Sequence, residues 1–180
     1  MHATICDIIT DLVQNAIEAD ATEIALKIEE TPNQLSVQIE DNGKGMDAAT
    51  LERAKDPFYT DGQKHVHRKV GLGLPFLFQT SEATGGQANI QSEQGIGTTV
   101  TFQLDKKNVD LPMFGNFAQT AVTLMAYGFE GNLKIKRSVN GEKYEANKKE
   151  LAEALGGLDD PEGLMLLREF FESNEKEICE

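Results

Sequence analysis

At 180 residues the chain has room for one domain with a real hydrophobic core, or for one domain with a sizeable appendage. A formal charge of −13 and a pI of about 4.6 disfavour nucleic-acid binding and attraction to a membrane surface, both of which need clustered Lys and Arg. No apolar run approaches the roughly 20 residues that span a bilayer, and the first residues lack the basic and apolar regions of a signal peptide, so a soluble, cytoplasmic protein is expected. Cys6 and Cys179 sit near opposite ends without metal-ligand spacing and read as free thiols.

Residues 4–19 carry Ile5, Ile8, Ile9, Leu12, Val13, Ala16 and Ile17 at helical spacing, with Asp7, Asp11, Asn15 and Glu18 on the other side. "EIALKIEE" (23–30) and "QLSVQIED" (34–41) each alternate apolar and polar residues around "TPN", the pattern of a β-hairpin. After the loop "EDNGKGM" (40–46), residues 47–55 form a short helix with Asp47 as N-cap. The stretch 56–70 has no period and reads as a long mobile loop. "GLGLPFLFQTSEATGG" (71–86) opens with glycines, tolerates Pro75 in its first turn and ends at Gly85-Gly86, so it is a helix. Two strands, 87–93 and 98–104, then make a second hairpin.

Residues 1–104 thus predict an α+β fold, a two-layer sandwich of a mainly antiparallel sheet with helices on one face. Beyond Asp105 come a linker, a helix over 116–127, a hairpin around Asn140-Gly141, and two further helices, the second starting at Asp160-Pro161. We treat 105–180 as a C-terminal extension that covers the sheet or mediates a homodimer.

Three glycine loops stand in the first part: "DNGKGM", "KVGLGLPF" and "GIGTT". The first is either a plain turn, since its Asn-Gly pair favours positive φ, or a loop built for a ligand. Glycines before a helix also let backbone amides reach a phosphate chain. No GxxxxGK[ST] or complete GxGxxG occurs, which removes a P-loop and a dinucleotide fingerprint. Lys55, Lys64, Arg68 and Lys69, with His65 and His67, make a basic segment in an acidic chain. It is either a solvated charge run or a lid over polyphosphate.

In order, "DLVQNAIEADATEI", "DNGKGM", "DPFYT", "GLGL" and "GIGTTVTF" resemble the GHKL superfamily of Bergerat-fold ATPases, which includes histidine kinases, type II topoisomerases, heat-shock chaperones and mismatch-repair ATPases. The resemblance covers nearly all of 1–104 and implies binding of ATP and Mg²⁺. It makes Asn15 the Mg²⁺ ligand and Asp41 the acceptor for the adenine amino group, backed by Thr98 through a water. Gly43, Gly45 and Met46 fall in the adenine loop, Gly71, Leu72 and Gly73 offer amides to the phosphates, and Lys64, Arg68 and Lys69 lie in the lid.

Hydrolysing members of that superfamily carry Glu four residues before the Asn to activate water; here the position is Asp11, whereas histidine kinases usually have Asn. Glu18 stands where kinases often place a basic residue. Only His2 precedes the first motif, so the resemblance implies action on, or with, another protein chain. More loosely, 105–180 resembles the tails of small stand-alone bacterial histidine-kinase-like ATPases, some encoded beside iron-hydrogenase subunits. The expected function is a regulatory Mg-ATP-binding protein with slow hydrolysis or phosphotransfer. The alternatives are a non-catalytic ATP-gated interaction module and an anti-sigma-type serine kinase.

Overall fold

The computed structural model describes residues 4–55 and 73–180. In chain order the elements are α1 (Ile5–Glu18), β1 (Glu23–Glu30), β2 (Gln34–Asp41), α2 (Ala48–Lys55), α3 (Gly73–Ala83), β3 (Gln87–Glu93), β4 (Gly97–Asp105), α4 (Phe117–Ala126), β5 (Asn132–Val139), β6 (Glu142–Asn147), α5 (Lys148–Leu155) and α6 (Pro161–Cys179). The strands form one sheet in the order β3-β4-β2-β1-β5-β6, antiparallel throughout except for the parallel pair β1–β5. This is the mainly antiparallel α+β sandwich that the sequence predicts. No described helix is long and apolar enough to cross a membrane.

Burial follows the period of two. Ile24, Leu26 and Ile28 of β1, Leu35, Val37 and Ile39 of β2, and Val100, Phe102 and Leu104 of β4 are buried. Their neighbours Ala25, Lys27, Glu29, Gln38 and Glu40 point to the open face and are exposed. The buried stripe of α1, from Ile5 to Ala16, and Leu77 of α3 lie in the same core as Leu124, Leu133, Leu167 and Phe171 from the C-terminal part. The linker and helices after Asp105 therefore lead into strands that continue the same sheet.

Local signals set the element ends. Thr4 and Asp7 form a capping box at the start of α1, the Asp7 amide donating to Thr4 Oγ1 (3.2 Å) and the Thr4 amide to Asp7 Oδ2 (2.7 Å). Asp47 Oδ1 accepts from the Thr50 amide (2.7 Å), as an N-cap does. Asn140 and Gly141 sit at φ of 52° and 98°, the paired left-handed residues of a tight hairpin.

The far end of the buried face holds a charge cluster. Arg137, 2 % exposed, pairs with Glu30 through Nη2 and with Glu175 of α6 through Nε (3.3 Å). Tyr144 donates to Glu175 (2.7 Å), and Lys106 reaches Glu30 (2.8 Å). The Arg137 guanidinium lies over the rings of Phe114 and Phe117, 4.7 Å and 5.5 Å from their centroids. Burial pushes the Glu30 carboxyl up, but the Lys106 hydrogen bond and the Arg137 charge outweigh it and leave it below its ordinary value.

Arg137→Leu takes the guanidinium from Glu30 and Glu175, leaving them Lys106 and Tyr144 as partners, and is expected to cost about 3 kcal/mol of stability by urea denaturation at pH 7. Because the Glu30 pKa is lowered in the fold, its contribution is present above the ordinary value of 4.5 and is lost as pH falls through the lower folded value. The parent is expected to lose stability over that interval, and Arg137→Leu to lose less of it; equal acid slopes would contradict the assignment.

Candidate functional site

Three of the strands end on polar residues at the other end of the buried face. Asp41 follows Leu35, Val37 and Ile39 in the inward series of β2, opposite Ile24 of β1 and Thr98 of β4. Ser92 of β3 is opposite Thr98 on the other side. A row Ile24–Asp41–Thr98–Ser92 thus closes the apolar face with a carboxylate and two hydroxyls.

Asp41 is half-buried. The Gly43 amide donates to its Oδ1 at 2.8 Å. Burial pushes its pKa up, and hydrogen bonds from the Gly43 and Thr98 amides pull it part of the way back, leaving it above the ordinary value.

The loop after Asp41 is held on both sides. Asn42 Oδ1 accepts from the Thr22 and Glu23 amides, both at 2.9 Å, and its Nδ2 donates to Thr22 Oγ1 (2.9 Å). The Lys44 amide donates to the Ala19 carbonyl (2.8 Å), and the Lys44 carbonyl accepts from the Gly95 amide (2.7 Å). Met46 donates its amide to Ser92 Oγ (2.8 Å), and its side chain packs against the core. The turn expected at Asn42-Gly43 is different in kind: among the described residues positive φ occurs in this loop at Gly45, φ 61°, while Asn42 bridges to β1 instead of closing a turn.

Two glycines here are demanded by close approach. A Cβ on Gly45 would lie 2.0 Å from the Glu93 carbonyl oxygen, and one on Gly97, φ 144°, would lie 2.0 Å from the Asp41 carbonyl oxygen. Gly45 is expected in the adenine loop by the family resemblance, whereas Gly97 was legible only as part of "GIGTT".

Asp11 and Asn15 are one turn apart on α1, both half-buried, and among the described residues neither side-chain head has a hydrogen-bond partner. Burial, with the Asp7 carboxylate adding to it, holds the Asp11 carboxyl above its ordinary value. Gly73, the first residue of α3, packs so closely on α1 that a Cβ there would lie 2.7 Å from Asp11 Cβ. Among the described residues no group of three or more His, Cys, Asp or Glu could hold a metal ion. An uncommitted amide such as that of Asn15 fits the way Mg²⁺ binds, through few protein ligands with phosphate and water supplying the rest. Lys64, Arg68, Lys69, Gly71 and Leu72 lie outside the described residues.

The fold therefore brings Asp41, Gly43, Gly45, Met46 and Thr98 to one sheet end. Asp11 and Gly73 meet at the α1–α3 contact, with Asn15 one turn further along α1. Asn42 and Ser92 were missed as site residues, the first because Asn-Gly reads as a turn, the second because a lone Ser in an alternating strand carries no signal.

Residues 2–108 match the profile of the family described as histidine kinase-, DNA gyrase B- and HSP90-like ATPases. The chain is similar to the sensor histidine kinase YvrG of Bacillus subtilis, 31 % identical over 103 residues, covering 56 % of this chain and 18 % of that protein. It is also similar to the sensor protein kinase FleS of Pseudomonas aeruginosa, 36 % identical over 103 residues, covering 56 % and 25 %. The chain thus spans a quarter or less of the length of these two relatives. Among solved structures, the nucleotide-free catalytic domain of histidine kinase ThkA superposes with a TM-score of 0.42 at 26 % identity, over 55 % of this chain and 64 % of that one.

Gly97→Ala combines a positive φ with a clash against β2, whereas Gly95→Ala has a positive φ of 81° and open space around it. The first is expected to cost about 3 kcal/mol and the second about 1 kcal/mol. Equal losses in thermal or urea unfolding would mean that the approach of β4 to Asp41 is not tight.

Proposed function

The chain belongs to the family of histidine kinase-, DNA gyrase B- and HSP90-like ATPases, and we propose that it is a regulatory protein whose residues 1–104 bind Mg-ATP and turn it over slowly, by hydrolysis or by phosphotransfer to a partner protein. The observation that carries the reading is Asp41: a half-buried carboxylate at the inner end of a strand, held by the Gly43 amide and bordering the sheet end that Thr98 and Ser92 also line. A carboxylate there selects a base with an exocyclic amino group and rejects one with a carbonyl in that position, which separates adenine from guanine.

In this reading Asn15 holds Mg²⁺, whose charge would offset that of the phosphates. The Gly73 amide, at the N-terminus of α3, faces the phosphate chain, where the helix dipole is favourable for anions. Asp11 is the base that draws a proton from the attacking nucleophile. Its upward shift brings it closer to neutral pH, which improves a general base. The basic residues Lys64, Arg68 and Lys69 are assigned to the phosphates on sequence alone.

Calorimetric titration tests the pocket. ATP is expected to bind in a Mg²⁺-dependent manner, GTP not to bind, and Asp41→Asn to abolish ATP binding. Because the Asp41 pKa is raised in the fold, ionising it opposes folding at neutral pH. The asparagine still accepts from Gly43, so Asp41→Asn is expected to be at least as stable as the parent at pH 7 in urea. An Asp41→Asn protein that still binds ATP would overturn the pocket, however stable it is.

Asp11→Asn separates turnover from binding. It is expected to lower the ATPase rate by about a hundredfold with little change in ATP affinity. An unchanged rate would point to the non-catalytic, ATP-gated alternative.

A further inference from the structure

The sheet has two edges, β3 and β6, and they are guarded differently. β6 carries Lys143 and Glu145 on the open face, the latter paired with Lys136 of β5 (3.2 Å), and α5 begins at the residue after the strand. Charged side chains of this kind discourage the addition of a further strand. β3 has none of these devices. Residues 87–93 include no Pro, Lys or Arg, and the register with β4 is unbroken from Gln87↔Gln103 to Glu93↔Gly97, so no bulge turns the edge away. Among the described residues no strand pairs with the outer side of β3.

The open face beside that edge is almost without charge. Its cross-strand rows run Gln87–Gln103–Ser36, Asn89–Thr101–Gln38 and Gln91–Thr99–Glu40, in which Glu40 alone is charged. On β1, β5 and β6 the same rows continue as Glu29–Ser138–Lys143, Lys27–Lys136–Glu145 and Ala25–Lys134–Asn147. A chain with a formal charge of −13 repels its own copy. The β3 edge is where two copies can meet through neutral carboxamides and unpaired backbone groups.

We propose that the β3 edge pairs with the β3 edge of a second copy of this chain, antiparallel about a twofold axis at Asn89, so that the two sheets become one. Two identical antiparallel strands can share a ladder only with their axis at a residue, since facing residues must point their backbone groups the same way. With the axis at Asn89, Gln87 faces Gln91 of the second copy on the open face, and Asn89 faces its own equivalent. A carboxamide carries both a donor and an acceptor, so two of them related by a twofold axis satisfy one another. On the inner face the half-buried Ala88 meets Ile90 of the second copy, small against large. Glu93, the one charge of β3, falls outside the paired segment. The contact lies at the opposite edge from the strands that 105–180 adds, the region where the sequence suggests a homodimer.

Sedimentation velocity on the full chain over about 1 μM to 1 mM is expected to show a reversible monomer–dimer equilibrium and nothing larger, because a twofold contact closes on itself. Asn89→Lys puts two like charges on the axis and is expected to weaken the dimer at least about a hundredfold. Gln38→Lys adds the same charge to the same cross-strand row, two strands in from the edge, and is expected to change the dimer by less than about twofold. Gln87→Lys combined with Gln91→Glu sets unlike charges face to face twice and is expected to tighten it by about twofold to fivefold. Should Asn89→Lys not fold by circular dichroism, Asn89→Asp repeats the disruption with a side chain of the same size.

A chain that stays monomeric over the whole range overturns the proposal, whatever other peptide its edge accepts. So does a dimer that Asn89→Lys leaves intact, or one that Asn89→Lys and Gln38→Lys weaken equally, since the contact would then lie elsewhere or respond to charge alone. A dimer that the Gln87→Lys, Gln91→Glu pair fails to tighten overturns the axis at Asn89.

Discussion

The position of Asp41 follows from one constraint: the sheet buries a single face. In β2 the inward series is Leu35, Val37, Ile39 and then Asp41. With a period of two, a carboxylate at the next inward place cannot turn to solvent without slipping the register, and a slip of one residue would expose every apolar side chain of the strand. The core therefore fixes the carboxylate as firmly as it fixes Ile39. Desolvation raises its pKa, and the Gly43 and Thr98 amides answer only part of that cost. The acceptor is left under-satisfied at a sheet end, which is the state a specificity residue needs before its ligand arrives.

The same rule acts at the opposite end with a different result. The inward series of β1 is Ile24, Leu26, Ile28 and Glu30, and that of β5 is Leu133, Ile135 and Arg137. Here the two polar ends are of opposite sign and on paired strands, so they neutralise one another and are covered by α6 through Glu175 and by the Phe114 and Phe117 rings. A buried pair of this kind returns little more than its own desolvation cost. Its effect is geometric: six segments, β1, β5, β6 through Tyr144, α6, the connection through Lys106 and the start of α4, share one charge centre. The end with matched charges is closed, and the end with an unmatched carboxylate is the one we propose as the nucleotide site.

Much of this was legible because it depends on periodicity. The alternation of Ile24, Leu26 and Ile28, and of Leu35, Val37 and Ile39, gave the β1–β2 hairpin, and the ordered glycine motifs gave the family. What the residues alone did not disclose is where one residue type serves two ends. Asn-Gly at 140–141 is a hairpin turn with both residues at positive φ, whereas Asn-Gly at 42–43 is not, since Asn42 uses its side chain to hold the Thr22 and Glu23 amides. The dipeptide is the same, and only the neighbouring strand start distinguishes them. Arg137 likewise reads as one charge in the alternating "KIKRSV", because its partners Glu30 and Glu175 are distant in sequence. The parallel pairing of β1 with β5, which joins 105–180 to the main sheet, has no local signal at all.

Asp11 is one methylene shorter than the glutamate of the hydrolysing relatives, and the packing of α3 bears on that deficit. Gly73 approaches α1 to a distance that admits no side chain, which brings the start of α3 directly over Asp11. The helix N-terminus there would stabilise negative charge and lower the Asp11 pKa, yet burial and Asp7 prevail and the carboxyl is raised. A phosphate held by the Gly73 amide would sit close to α1 for the same reason, within the reduced reach of an aspartate. On the proposed reading, then, the shorter base and the missing side chain at position 73 are two halves of one adjustment. A residue larger than glycine at 73 would lift the phosphates away from a base that cannot follow them, and small displacements of a base are costly in rate.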